Sequence, residues 1–160
     1  MLTETQESPG QTANQQLTDR LVEFDYLRVK RHNGYYGTIP SVMFVLQGSD
    51  AQTSANFQAP FFIADRAYEV IGVIERHATA ATDGTLQVKN VLSGEANSSG
   101  TNVLDSALNL TTGGNTNQTG VLSSTKRNLV LPKGSALVPE AYGLLTALWG
   151  VTIAVFLKAI

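Results

Sequence analysis

An all-β fold is predicted by three features of this chain of 160 residues. Apolar and polar residues alternate over short runs, and no stretch keeps an apolar period of 3.6 residues. Turn-forming residues separate these runs at short intervals. Charged residues make up 15% of the chain, below the roughly 25% of typical domains, and small uncharged polar residues replace them. We therefore expect a β-sandwich, jelly-roll-like, of about six to eight strands with an extended N-terminal arm.

Residues 1–57 are predicted to form the extended arm with short strands, and residues 58–160 the β-sandwich domain. The first 20 residues are polar and have no hydrophobic period, as is typical of a segment that is disordered when alone in water. The runs "LVEFDYLRV" and "SVMFVLQ" are strand candidates within the arm. The alternative is that these runs are the first strands of the core itself.

The sandwich domain is expected to begin with the short strand "PFFIA" and a longer one in "AYEVIGVIERHATA". In the longer strand one predicted face carries Val70, Gly72 and Ile74, and the other carries Val73, Glu75 and His77. Asp83-Gly84 is a strong hairpin-turn signal and leads into "TLQVKNV". The sequence thus predicts a hairpin at this point.

A long polar connection follows that strand. From Ser93 to Gly120, 20 of 28 residues are Ser, Thr, Asn, Gln or Gly. Within it "NVLDSALNL" is a candidate helical turn, and "NLVLPKGSALV" then predicts a strand, a Pro-Lys-Gly turn and another strand. Loops of this length are usually functional or disordered. We expect this one to pack against a neighbouring subunit, where low charge lowers the cost of burial.

The apolar C-terminal stretch Leu144 to Ile160 is predicted to contain a buried central strand. It alternates with Val151, Ile153 and Val155 on one side, both of its faces are mostly apolar, and it is short for a membrane span of about 20 residues. A C-terminal membrane anchor is the less favoured alternative. The N-terminus lacks the basic and apolar regions of a secretory signal peptide.

Residues suited to catalysis or metal binding are few. The chain has no cysteine, which excludes thiol catalysis and thiolate metal sites. Glu75 and His77 have a spacing that would suit a metal, but two paired side chains at a polar strand end are the favoured interpretation. His32 lies in a locally basic segment. No nucleophile elbow or phosphate-binding loop is present, so we expect neither an enzyme nor a cofactor.

One segment combines cations with aromatic rings, as protein interfaces do. It lies in "LRVKRHNGYY" and the residues just before it. The net charge of −2 gives no basic field that would favour nucleic acid over a protein partner. A solvated basic turn is the alternative. The residues that we predict to contact a partner are Phe24, Tyr26, Arg28, Lys30, Arg31, Tyr35 and Tyr36.

The second part of the chain resembles proteins from the structural gene clusters of tailed bacteriophages. The resemblance covers about Pro60 to Ile160. Its motifs are "PFFIADRAYEVIGVIERHATAATDGTLQVKNVLSG", "TNVLDSALNLTTGGNTNQTGVL" and "GLLTALWGVTIAVFLKAI". These motifs are structural rather than catalytic. The resemblance implies a small β-sandwich, often jelly-roll-like and commonly trimeric, that decorates a capsid or forms part of a head or tail fibre.

The expected function is therefore that of a capsid decoration, or cement, protein. It would bind across capsomers on the capsid exterior of the virion after assembly in the host cytoplasm. Its expected partners are the major capsid protein and itself, as a homotrimer, with no nucleic acid and no membrane. The alternative is a fibre or spike module that binds a host-surface glycan.

Overall fold

The computed structural model describes residues 41–46 and 52–160, and this part of the protein is all-β, as predicted. Its helical segments are short 3₁₀ turns at Ser54–Phe57, Asn97–Ser99 and Lys126–Leu129. Five of its ten strands are only two residues long. The strands are β1 Ser41–Leu46, β2 Phe62–Ile63, β3 Tyr68–Arg76, β4 Asp83–Val91, β5 Thr101–Asn102, β6 Leu108–Asn109, β7 Gln118–Thr119, β8 Val130–Leu131, β9 Ala136–Leu144 and β10 Val151–Ala159.

The strands form two antiparallel sheets of five strands each, here called sheet A and sheet B. Sheet A has the order β1-β10-β3-β7, and β8 pairs with the same edge of β3 as β7. Sheet B has the order β2-β9-β4-β5, and β6 joins β5 on β4. The nine-residue strands of each sheet therefore lie at its centre, and the edges are formed by β1 in sheet A and otherwise by two-residue strands.

Both sheets contribute to a single hydrophobic core. Burying these side chains is the main driving force for folding, at about 25 cal/mol per Å² of apolar surface. The long strands supply most of the cluster: Val70, Val73, Leu86, Val88, Leu137, Ala141, Val151, Ile153, Val155 and Leu157. As predicted, the C-terminal stretch contains a central strand, because β10 lies between β1 and β3.

The alternation of β3 is broken by a β-bulge, which the sequence pattern did not indicate. Val70 pairs with Leu157 and Gly72 pairs with Phe156, so two steps along β3 match one step along β10. A slip of one residue moves the following side chains to the opposite face of a sheet. Val70 and Val73 are consequently both buried, whereas Ile71 between them is partly exposed. The prediction of one unbroken face along this strand was wrong.

The hairpin predicted at Asp83-Gly84 is absent. Both residues already belong to β4, and β3 and β4 lie in different sheets, so the chain between them crosses from sheet A to sheet B. Gly84 is needed for packing rather than for a turn. A Cβ at this position would lie 2.7 Å from Cδ2 of Leu145, too close for real side chains. A glycine in a strand can mark close approach of a neighbour, which explains the misleading turn signal.

The polar connection between Ser93 and Gly120 is tied to its own domain. Backbone bonds join Val103 N to Val88 O at 2.8 Å and Leu110 N to Gly84 O at 2.9 Å. The connection also supplies four buried core residues, Val103, Leu104, Leu108 and Leu110. The helical turn predicted in "NVLDSALNL" does not form, since this run contains parts of β5 and β6. A neighbouring subunit is not needed to explain the order of the connection.

A buried glutamine fills the gap in sheet B between β5 and β6. Gln87 Nε2 donates to the carbonyl of Leu104 at 3.2 Å, and its Oε1 accepts from the backbone N–H of Leu104 at 3.1 Å. The side-chain amide thus replaces the ladder bonds that a continuous strand would have made here. Buried backbone groups must be paired, so this one side chain allows the chain to leave the sheet and return.

The segment predicted as an arm is described in part. Ser41–Leu46 forms β1 and pairs antiparallel with β10, and Phe57 is fully buried in the core. Residues 1–40 and 47–51 lie outside the described residues. The position of the boundary between arm and sandwich stays a prediction.

Replacing Gln87 with Leu is expected to lower the free energy of unfolding by about 1–3 kcal/mol, because the buried N–H and C=O of Leu104 lose their partners. Leucine has a similar volume, so the loss would come from hydrogen bonding and not from a cavity. Thr85→Val, at an exposed position of the same strand, is the control and should change stability little. Urea unfolding followed by circular dichroism measures both. Equal stability of Gln87→Leu and the wild type would contradict this role.

Candidate interaction surface

Glu75 and His77 form a buried pair, in agreement with the favoured interpretation of their spacing. His77 Nδ1 and Glu75 Oε1 are 2.8 Å apart, and both side chains are 0% exposed. The bulge in β3 turns both residues towards the interior. Burial raises the pKa of the Glu75 carboxyl, and hydrogen bonds from His77 and Gln118 oppose that shift only in part. Within 41–46 and 52–160 no group of three or more His, Cys, Asp or Glu residues could hold a metal ion.

The seven residues predicted to contact a partner all lie within residues 1–40, outside the described part of the chain. Their role therefore stays a prediction. Within the described part of the chain, the outer face of sheet A is a second candidate surface for contact with a partner.

One part of the outer face of sheet A, made from β1, β10, β3 and β7, carries few charges, whereas Glu69 and Lys158 oppose each other on the same face beyond the bulge. Directly opposed residues of antiparallel strands point to the same side of a sheet. The strand register therefore sets three rows side by side, and we call them together the outer A face. The rows are Ser41, Phe156 and Gly72; Met43, Ala154, Ile74 and Thr119; and Val45, Thr152 and Arg76.

Two apolar side chains protrude from the outer A face. Met43 is 62% exposed and Val45 is 48% exposed, whereas Ala154, Phe156 and Ile74 are half-buried. The ring of Phe156 packs over Gly72 and makes the centre of the face smooth. Arg76 is the one charged residue in the three rows. Contiguous apolar surface of this kind is typical of an interaction site.

The outer face of sheet B provides a contrast within the same domain. Lys89 Nζ and Glu140 Oε2 form an ion pair there at 2.8 Å, and Asp83 lies at the start of the same strand as Lys89. Exposed apolar residues such as Tyr142 and Leu144 are present too, but they lie among these charges. Charges resist burial at a contact unless they are paired. Lys89 and Glu140 are paired, so the comparison depends on the exposed apolar side chains. We take the outer A face, where Met43 and Val45 protrude beside one charge, as the candidate docking surface.

Strand β1 adds an open edge to the outer A face. Among the described strands β1 pairs only with β10, so its second edge has no strand partner in that part of the chain. The other strands at the sheet edges, β2, β5, β6, β7 and β8, have two residues each, while β1 has six. Its sequence "SVMFVL" contains no charge and no proline, the usual devices that keep an edge strand from pairing. This edge is suited to contact with another polypeptide.

Sequence reasoning predicted β1 as a strand but not its exposed face. The run "SVMFVL" is apolar on both sides, and such a run predicts burial rather than exposure. Only the order of strands in sheet A shows that β1 lies at an edge. A pair of apolar residues at alternate positions, Met43 and Val45, was the one available signal, and it cannot distinguish an inner from an outer face.

Comparison with protein-family models, with curated proteins and with solved structures found no match for this chain. The resemblance of Pro60 to Ile160 to phage structural proteins therefore stays a prediction. In the part of the chain that the structure describes, no helix is long and apolar enough to cross a membrane.

The two sides of β1 are expected to respond differently to mutation. Phe44 points inward and packs against Phe57 and Phe61, with ring centroids 5.8 Å apart in each case. Phe44→Ala should lower the free energy of unfolding by about 2–4 kcal/mol because it leaves a cavity. Met43→Thr combined with Val45→Thr should lower it by less than about 1 kcal/mol, because both side chains are exposed. Urea unfolding of the two variants checks this, and similar losses in both would mean that the assignment of faces is incorrect.

Proposed function

We propose that this protein is a structural virion protein that decorates and stabilises a bacteriophage capsid. It binds the major capsid protein across capsomer boundaries on the outside of the shell. The observation that carries this proposal is the outer A face, whose three rows hold one charge, next to a six-residue edge of β1 that pairs with no strand of the described residues. The choice of a phage shell as the partner comes from the resemblance inferred from the sequence motifs, which stays a prediction.

The chemistry of the described residues favours a binding role over a catalytic one. The one buried titratable pair, Glu75 with His77, has its polar atoms engaged by neighbouring groups of the same chain. It offers no open position for a substrate, and it lies on the opposite side of sheet A from the outer A face. A binding protein needs only a stable scaffold and a complementary surface, and the two sheets with their common core provide the scaffold.

Decoration acts by adding buried area between capsomers, which opposes their separation when packaged DNA presses outwards. An interface near the standard size of about 1,600 Å² gives specific binding, and many copies on one shell add avidity. In this proposal the two sheets form a jelly-roll-like sandwich, and three copies associate as a homotrimer. The N-terminal arm, with its basic and aromatic residues, extends over the shell.

The partner surface that fits the outer A face is apolar and uncharged. A charged partner would lose hydration without gaining ion pairs, because Arg76 is the one charge in the three rows. We therefore assign the outer A face to the capsid contact and leave the trimer contact to other surfaces. Because the two contacts would use different surfaces, a variant of the outer A face should lose shell binding and keep its oligomeric mass.

Met43→Asp combined with Val45→Asp should abolish binding to shells of the major capsid protein, because two carboxylates would have to be buried without partners. Leu144→Asp, at an exposed position of the sheet B edge, is the matched control and should bind as the wild type does. Co-sedimentation with shells that lack the protein measures binding. Size-exclusion chromatography with light scattering measures the mass of each variant.

The outcomes distinguish the parts of the proposal. Loss of shell binding in the double variant, with the wild-type mass retained, supports the assignment of the outer A face. Full binding by the double variant contradicts that assignment. A wild type that binds no shell but binds glycans on an array contradicts the decoration role and supports the fibre-module alternative.

A further inference from the structure

We propose that Glu75 and His77 form a proton-dependent latch that holds the loop between β6 and β7 closed over the end of β3. The loop, residues 110–117, stays attached while the pair retains its shared proton and detaches when that proton is lost as the pH rises. The proposal depends on the geometry around the pair and is independent of the capsid role.

Three groups of bonds fasten the loop to the buried pair. His77 Nε2 donates to the carbonyl of Thr112 at 2.9 Å, and the backbone N–H of Asn115 donates to the carbonyl of His77 at 2.6 Å. At the end of the loop, Gln118 Nε2 donates to Glu75 Oε2 and to the carbonyl of Asn109, both at 2.8 Å. The loop is thus fixed to both members of the pair.

The loop also lies very close to the backbone that follows β3. A Cβ at Gly114 would meet the carbonyl oxygen of Ala78 at 2.1 Å, so only glycine permits this approach. The turn at the start of the loop is stabilised internally, since Thr111 N donates to Asn109 Oδ1 at 2.9 Å. The loop can therefore keep its own conformation, and its hydrogen bonds to Glu75 and His77 determine whether it stays attached to the end of β3.

The geometry requires one proton between the two side chains. His77 Nε2 must carry a hydrogen to donate to Thr112, so Nδ1 and Glu75 Oε1 share a second proton at 2.8 Å. That proton lies either on the carboxyl, which then donates to Nδ1, or on the imidazole, which then donates to Oε1. When it is removed, the neutral imidazole has a single N–H for two acceptors. Nδ1 then carries that hydrogen towards the carboxylate of Glu75, and the lone pair of Nε2 faces the carbonyl of Thr112, so the bond that holds the loop is lost.

Other charges in the described part of the chain do not offset this change. On β10 the residue opposite Glu75 is Ile153, and on β7 it is Gln118. The loop 110–117 and the crossover 78–82 contain no titratable side chain. Arg76 lies on the other face of β3, where Nη1 donates to Asn117 Oδ1 at 3.4 Å. None of these elements places a counter-charge beside the buried pair, so gain or loss of its proton changes the hydrogen bonds that hold the loop.

The direction of the pH effect follows from the buried carboxyl. Burial is the largest influence on Glu75 and raises its pKa, because a desolvated carboxylate is unfavourable. A pKa raised in the folded state gives a stabilisation that is complete below the unfolded pKa. This stabilisation is lost as the pH rises through the folded pKa. The latch is accordingly closed in acid and opens towards alkaline pH.

Opening of the latch uncovers part of a strand edge. The loop leads into β7, which pairs with β3 at Ile74 and Glu75, and Gly120 N donates to the carbonyl of Val73 at 2.9 Å. Detachment of the loop frees this segment of the β3 edge for pairing with another chain. The latch would thus couple proton binding to the availability of a second contact edge on sheet A.

Isotope-labelled full-length protein, studied by NMR from mildly acidic to mildly alkaline pH, tests the latch. In the wild type the side-chain carboxyl signal of Glu75 and the backbone amide signals of residues 112–118 should titrate together. Amide protection in this loop, corrected for intrinsic exchange, should fall as Glu75 loses its proton. Loop signals that do not change while Glu75 titrates would overturn the proposal, and this measurement needs no variant.

Glu75→Gln is the decisive variant. Its amide N–H can donate to His77 Nδ1 and its carbonyl can accept from Gln118, so it imitates the protonated carboxyl but cannot lose a proton in this range. The loop should then remain protected at every pH examined. Glu69→Gln, on the same strand but near its other end, is the control and should keep the wild-type response. A Glu75→Gln protein whose loop still detaches as the pH rises would overturn the proposal.

Discussion

The pairing of β10 with β1 on one side and β3 on the other is the constraint on which the structure depends most. It places Val151, Ile153, Val155 and Leu157 in the core and fixes the register of every other residue in sheet A. The bulge opposite Phe156 and Leu157 belongs to the same pairing. Without that bulge the alternation of β3 would place Glu75 and His77 on the outer face. The core, the buried pair and the outer A face are therefore consequences of one strand register.

Buried side-chain amides allow the long polar connection to be ordered without long strands. Gln87 replaces ladder bonds between β5 and β6, and Gln118 joins β6 to β3. Asn90 Nδ2 performs a similar role where it donates to the carbonyls of Asn128 and Val130, although its Oδ1 has no partner among the described residues. Neutral amides both donate and accept, and they cost less to bury than charges. Gln87 on β4 and Gln118 within the connection thus hold it in place without buried charges.

The outer faces of sheet A and sheet B differ in the side chains that they expose. Sheet B carries the mostly buried ion pair of Lys89 with Glu140, whereas the three rows of the outer A face carry one charge, Arg76, beside an edge of β1 that pairs with no described strand. Under the proposed function, the outer A face would make the contact with the shell. In the proposed latch, the loop over the end of β3 protects a second strand edge through its bonds to the buried pair Glu75 and His77.

The sequence by itself determined the all-β class and the approximate positions of most long strands, because alternation and turn residues are local signals. It also indicated that Glu75 and His77 pair. Only the tertiary structure decided the bulge at Ile71, the crossover in place of a hairpin at Asp83-Gly84, and the exposure of Met43 and Val45. These features depend on which strand lies beside which. Strand order is set by contacts between residues far apart in the chain, and the alternation within one strand carries no information about its neighbours.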